Sequence, residues 1–238
     1  MRATSSGDPA SKANRIQWLL RKIDLLEDIS EPAFDRLAEH AELYEIARRQ
    51  VIYLRGDPGD ELFFVHGGRV KCSKVTRDGK ELTLAYRGAG ECFGELEVFG
   101  DEPRDEMAEA MKNAIITSVP ADLFSEILAT HPAVCQRFAK LVAKRRRAME
   151  AKLEHLVFRD VQAKLAALLM ELSDDFGVPS EHGVSIGLKI THQEMANLIG
   201  STRETVSLTL AQFRDREAIS IDGRAVTVLS DTKLRALI

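Results

Sequence analysis

Cysteine is scarce in this chain of 238 residues, and what there is of it is scattered. Cys72, Cys92 and Cys135 form no CxxC pair and no Cys/His cluster, which excludes a zinc-binding spacing and a disulfide framework. Three free, buried or half-buried thiols are expected, with a redox sensor as the sharper alternative. The six histidines, at 40, 66, 131, 155, 182 and 192, are equally dispersed, so no metal is assigned. No apolar run reaches the ~20 residues of a membrane span. The opening stretch, MRATSSGDPASKAN, lacks the apolar core of a signal peptide. A cytoplasmic protein with no membrane partner is expected. Strong charge is missing too. A net charge of −4 announces no nucleic-acid partner, although a local basic face is sufficient for one. Nor is there a nucleophile–base pair, a phosphate-binding glycine loop or a metal motif, so no enzyme is expected.

What is present is ordinary in bulk and informative in order. Hydrophobic residues make up 45% and charged residues 29%, as in a soluble globular protein holding one large domain or two small ones. Residues 1–14 read as a disordered lead-in. Ile16 to Leu26 and Glu31 to Leu43 show helical spacing, with Pro32 at a helix start. From about Tyr44 the period becomes two. Short strands are predicted at Val51 to Tyr53, Leu62 to His66, Arg69 to Thr76 and Glu81 to Tyr86, separated by turns at Gly56 to Asp60, Gly67-Gly68, Asp78-Gly79 and Gly88 to Gly90. Gly94-Glu95-Leu96 opens a helical turn, and Ala108 to Ala110 and Ala114 to Val119 read as two further strands. Short strands with glycine at most corners suggest a small barrel or jelly roll.

Pro120 starts a helix to Thr130, and Pro132 to Phe158 is predicted as one long helix. Val134, Phe138, Leu141, Val142, Met149, Leu153 and Leu156 form its apolar stripe. A coiled-coil-like pairing with a second copy would bury that stripe, whereas a core role within one chain is the plainer reading. Arg145-Arg146-Arg147 interrupts the stripe, and at least one of the three must face the barrel or a partner helix. Asp160 can cap a helix from Val161 to Phe176.

Lys189 to Arg214 reads as two helices with a tight turn. Thr191 and Glu194 form a capping box, Gly200 supplies the stop, and Thr202 caps the second helix. Val206, Leu210 and Phe213 face a core. Arg203, Glu204 and Ser207 lie on the open face near the start of the second helix, as in a DNA-reading helix-turn-helix. Arginine suits guanine O6 and N7, glutamate accepts from cytosine N4, and threonine hydroxyls hold phosphates. Similar helix pairs also occur in ordinary bundles. A hairpin at Ile219 to Ile221 and Val226 to Leu229 would form a wing, before a short helix at Asp231 to Leu237.

The order of parts resembles the CRP/FNR superfamily of bacterial transcription regulators from about Ile16 to Leu229. The resemblance is carried by Gly59-Asp60-Glu61-Leu62-Phe63, Gly94-Glu95-Leu96, Phe158-Arg159-Asp160 and Gly200-Ser201-Thr202-Arg203-Glu204-Thr205-Val206. It implies an α+β chain: a jelly-roll (double-stranded β-helix) sensor domain at 15–130, a dimerisation helix at 131–158 and a winged helix-turn-helix at 159–238. It also implies a homodimer on a two-fold-symmetric operator, working with RNA polymerase. Arg203, Glu204 and Ser207 would read bases, and Thr191, Gln193, Thr202 and Thr205 would hold phosphates. Phe138, Leu141, Val142, Met149, Leu153 and Leu156 would line the dimer helix. Leu208 stands where the best-known cyclic-AMP-dependent members carry a base-reading arginine.

The implied ligand pocket comprises Gly94, Glu95, Leu96, Arg104, Asp105, Arg145, Met149 and Glu150. It departs from the cyclic-AMP pattern. Asp105 replaces a serine and can pair with Arg104, while Met149 and Glu150 replace adenine-contacting hydroxyls. An Arg145–Glu95 pair is expected. Cyclic AMP is therefore disfavoured, a cyclic nucleotide as a class stays open, and no iron–sulphur cluster or haem is implied. A cyclic-nucleotide-binding signalling module with a protein-docking C-terminal domain is the alternative function.

Overall fold

The structure is a computed structural model. It describes residues 9–238 apart from 77, 78, 80, 101, 159 and 224, and leaves out the side chains of residues 9, 10, 99 and 154–158. The chain divides into two compact units. One comprises residues up to 79 and 83–146, and the other comprises 80–82 and 147–238. The chain is mixed α and β, as expected.

The first unit opens with helices α1 (Pro9–Leu20) and α2 (Glu31–Glu39). Six strands follow: β1 (Glu42–Ile46), β2 (Val51–Tyr53), β3 (Glu61–Val75), β4 (Glu81–Arg87), β5 (Cys92–Phe93) and β6 (Met107–Pro120). Helix α3 (Ala121–Thr130) and the long α4 (Pro132–Phe158) come next, with α4 belonging to the second unit from residue 147 on. The sheet has the order β1-β6-β3-β4, with β2 also on β6 and β5 also on β3. It has apolar residues on both faces. One face carries Tyr44, Phe63, Val65, Val70, Cys72, Phe93 and Ile116, while the other packs Leu43, Leu62, Phe64 and Val119 against the helices. Alternation along β3 explains this, because Phe63 and Phe64 must point to opposite faces.

The structure corrects three expectations in this unit's helices and strands. The lead-in expected at 1–14 is helical from Pro9, since a proline at a helix start loses no needed hydrogen bond. Its first eight residues lie outside the described ones. The turn expected at Gly67-Gly68 does not break the strand, and β3 runs through it with bulges. Gly68 has φ +80°, and a Cβ there would come within 2.2 Å of the Asn113 carbonyl oxygen. The glycine thus allows close approach of two strands rather than a reversal. For the same reason Ala108 to Ala110 and Ala114 to Val119 are parts of one strand, β6.

The second unit holds α5 (Val161–Phe176), β7 (Gly177–Ser180), β8 (Gly183–Ile186), α6 (His192–Ile199), α7 (Arg203–Asp215), β9 (Ile219–Asp222), β10 (Ala225–Val228) and α8 (Asp231–Arg235). The four strands form an antiparallel sheet in the order β7-β8-β10-β9. The loop expected at Pro179 to Gly183 is mostly the β7–β8 hairpin. Asp160 Oδ1 accepts from the Ala163 amide at 2.8 Å and caps α5 as expected. Leu165, Leu169, Met195, Val206, Leu210 and Phe213 make a core nearly closed to solvent. Gly200 ends α6 in the left-handed conformation, with φ 64° and ψ 44°. Replacing it with alanine should cost this unit about 1 kcal/mol, because a Cβ crowds that conformation. Calorimetric melting of Gly200→Ala checks this, and an unchanged melting temperature would count against it.

Candidate nucleic-acid interface and barrel pocket

The two helices α6 and α7 are locked by their own polar residues. Thr191 Oγ1 accepts from the Glu194 amide at 3.1 Å, and Glu194 accepts from the Thr191 amide at 2.6 Å. Thr202 Oγ1 accepts from the Thr205 amide at 3.2 Å. These caps satisfy helix-end amides and fix where each helix begins. Val206, Leu210 and Phe213 are almost wholly buried, so α7 has one possible outward face. Arg203 and Glu204 lie on it, exposed, in the first turn. Ser207 is less free than expected. Its hydroxyl sits 2.8 Å from His192 Nδ1 and donates to the Arg203 carbonyl at 2.9 Å. His192 thus ties the first turn of α6 to α7, a link that no sequence spacing announces. Gln193 is exposed and donates to Asn197.

Inside the barrel, Arg104 is 2% exposed and engaged on several sides. Nη1 donates to Glu97 Oε2 at 2.9 Å and to the Gly94 carbonyl at 3.0 Å. Nη2 donates to the Glu61 carbonyl. The guanidinium carbon lies 4.5 Å from the Tyr53 ring centre and 5.6 Å from that of Phe63, within cation–π range. The expected Arg104–Asp105 pair does not form. Asp105 is exposed and pairs instead with Lys74 at 2.5 Å and Arg55 at 3.1 Å. Arg104 is buried inside the barrel while Asp105, in the bend just before β6, is exposed. Leu96 is likewise turned away from the pocket it was assigned to, being 65% exposed while Glu95 and Glu97 beside it are buried.

The Arg145–Glu95 pair does form, at 2.6 Å, and Arg145 Nη2 also donates to the Cys92 carbonyl at 2.6 Å. Of the three arginines, Arg145 is the one turned inward, and Arg146 and Arg147 are exposed. Tyr53 donates to Glu106 at 2.9 Å. Burial raises the Glu106 carboxyl above its ordinary value, and the charges of Glu95 and Glu97 add to this, opposing the hydrogen bonds from Tyr53 and Cys72. A recess of about 730 Å³ on the same unit is lined by Asp60, Glu97, Glu102, Asp122 and Ser125 among others, with no basic side chain among the described residues that line it. Glu97, Glu61, Tyr53 and Glu106 were not assigned from the sequence. The i, i+2 pair Glu95 and Glu97 was the available signal.

The stripe on α4 divides. Val134 and Phe138 are buried in their own unit, with Phe138 edge-on to Phe124 at 5.5 Å, and Leu141 packs against the same core. Phe138 is therefore not a surface residue for a second copy, because α3 already covers it. Val142, Met149 and Leu153 are exposed, by 37%, 42% and 60%, and so is Glu150. The Leu156 side chain lies outside the described residues. Cys72 and Cys92 are buried and Cys135 is exposed. Burial pushes the Cys92 thiol up to about 11 and raises that of Cys72 well above its ordinary value. No described helix is long and apolar enough to cross a membrane.

A rolled antiparallel sheet, a long helix and a winged helix-turn-helix with its own capping define a DNA-binding transcription regulator with a sensor-type barrel. Comparison with known proteins agrees. Residues 44–131 match the cyclic nucleotide-binding domain and 163–237 the Crp-like helix-turn-helix domain. The chain is 33% identical over 183 residues to the global nitrogen regulator of a Nostoc species, covering 76% of this chain and 82% of that one. It is 27% identical over 216 residues to the CRP-like cAMP-activated global transcriptional regulator of Mycobacterium tuberculosis, covering 91% and 96%. The structure is similar to that of a CRP-family regulator from Thermus thermophilus, with a TM-score of 0.68, 28% identity and coverage of 81% and 95%. It shares its fold with the c-di-GMP-responsive global regulator of Xanthomonas campestris, with a TM-score of 0.76, 22% identity and coverage of 84% and 100%. The chain belongs to the CRP/FNR family of transcription regulators.

The barrel generates a pH prediction. The folded state holds the Glu106 proton more tightly than the unfolded chain does. Its contribution to stability is therefore present below the ordinary carboxyl value of 4.5 and is lost as pH rises through the raised one. Wild-type stability should fall more steeply with rising pH than that of Glu106→Gln. Urea unfolding of both proteins over about pH 5 to 7 checks this, and parallel profiles would contradict it.

Proposed function

We propose that the chain acts in the cytoplasm as a homodimer on a two-fold-symmetric operator, together with RNA polymerase, and works by binding rather than catalysis. Arg203 and Glu204 read base edges in the major groove. Ser207 contributes through its position on the same face, and Thr191, Gln193, Thr202 and Thr205 approach the phosphates. The observation that carries this reading is the outward first turn of α7. An arginine and a glutamate stand exposed there on a helix whose opposite side is sealed in a core. Val142, Met149 and Leu153 support the dimer, since three exposed apolar residues on one long helix match a face meant for another helix.

The effector of this chain is not cyclic AMP. The arginine aligned with the phosphate-binding position already has both terminal nitrogens engaged by Glu97, Gly94 and Glu61. Arg104 Nε is its one buried nitrogen with no hydrogen-bond partner, too little to hold a cyclic phosphate. The residues present therefore do not fit that ligand. The Arg145–Glu95 pair supports a barrel held to the middle of α4 without a ligand.

Selection of bound DNA from random sequence tests the first reading. Inverted repeats are expected, and Arg203→Ala should lose ~1–3 kcal/mol of affinity together with specificity at one base pair per half-site. Selected sites lacking two-fold symmetry would overturn the dimeric arrangement, and equal binding by the variant would overturn base reading. For the effector, titration calorimetry with cyclic AMP should give no saturable heat. Micromolar binding that tightens operator binding would defeat this reading of the pocket.

A further inference from the structure

The outward side of α7 carries an apolar side chain that its own unit leaves uncovered. Leu208 is 67% exposed, the highest value among the exposed large hydrophobic side chains described. A lone exposed leucine on an arbitrary surface needs no function. This one shares a row with Glu204 and Gln212, four residues away on either side, and all three are exposed. The helix does not need Leu208 for folding, since Val206, Leu210 and Phe213 already fill the core side. The neighbouring Ser207 hydroxyl is turned back to His192 and the Arg203 carbonyl. The position next to Leu208 therefore offers no free hydroxyl, and the outward chemistry of the helix's first two turns rests on Arg203, Glu204 and Leu208.

Base edges in the major groove present donors, acceptors and one apolar feature, the 5-methyl group of thymine. A leucine held among them has one favourable counterpart. We propose that Leu208 is a specificity-determining residue that reads a thymine in each half-site through its 5-methyl group. The proposal rests on α7 entering the major groove, as proposed above. Covering a methyl-sized apolar surface corresponds to about a fourfold gain in affinity per half-site, or ~0.8 kcal/mol at 1.4 kcal/mol per tenfold.

Deoxyuridine differs from thymidine by that methyl group and keeps every hydrogen-bonding group, so it isolates the contact. The operator selected by the wild-type protein is resynthesised with deoxyuridine at each thymidine of one half-site in turn. Wild type should lose about fourfold in affinity at one position, and Leu208→Ala should bind the two versions of that site equally. Because Leu208 is exposed, the variant should melt with the wild type. Wild-type indifference to deoxyuridine at every position would overturn the proposal, as would equal sensitivity in Leu208→Ala. Failure of the wild type to select any sequence would instead overturn base reading by α7, and the thymine contact with it.

Discussion

A guanidinium closed off from water must be compensated where it stands, because its desolvation costs several kcal/mol. Much of the first unit is arranged around that constraint. The Arg104 backbone pairs with the turn at Gly56 and Asp57, and its side chain binds Glu97 and the carbonyls of Gly94 and Glu61. Two glycines follow from this arrangement. A Cβ on Gly94 would fall 2.6 Å from Arg104 Nη1, and one on Gly59 would fall 2.6 Å from Glu97 Cβ. The ion pair occupies the space that side chains at those positions would need. Tyr53 and Phe63 close the remaining sides with aromatic faces. One cation thus fixes β2, the start of β3 and the turn after β5 relative to each other.

The same constraint shapes how such a barrel can respond. A basic centre that is free attracts an anion, whereas one that already holds a carboxylate has to exchange partners to do so. Exchange would leave Glu97 buried without its counter-charge, and an orphaned member of a buried pair is costly. The interior is therefore built for internal neutrality. The Arg145–Glu95 pair repeats the pattern midway along the long helix, where the guanidinium also holds the Cys92 carbonyl.

The helix-turn-helix was legible in the sequence because its determinants are local. Thr191 and Glu194, Thr202 and Thr205, and Gly200 act within a few residues of each other, and each does what its spacing implied. The barrel was legible as a class of fold but not in its strand ends. Gly67 and Gly68 look like a turn in one dimension, and the role of Gly68 depends on Asn113 approaching from a distant strand. The partner of Arg104 was misread for a similar reason. Asp105 is its neighbour in sequence, but Asp105 is exposed in a bend beside Lys74 and Arg55, and Glu97 arrives from another element. The Arg145–Glu95 pair came from the family resemblance, since nothing local connects residues so far apart. The stripe on α4 was read as one surface, yet α3 claims its first part through Phe124, and only the later residues are left outward.

The three thiols differ in a way that has a practical side. Cys72 and Cys92 are sealed in the barrel unit with their ionisation suppressed by burial, while Cys135 stands exposed near the beginning of α4. Alkylating reagents attack the thiolate, so at neutral pH the folded chain presents them with one reactive address. It behaves chemically as a single-cysteine protein without any engineering. A fluorophore or spin label placed there would sit at one known position, at the foot of the long helix.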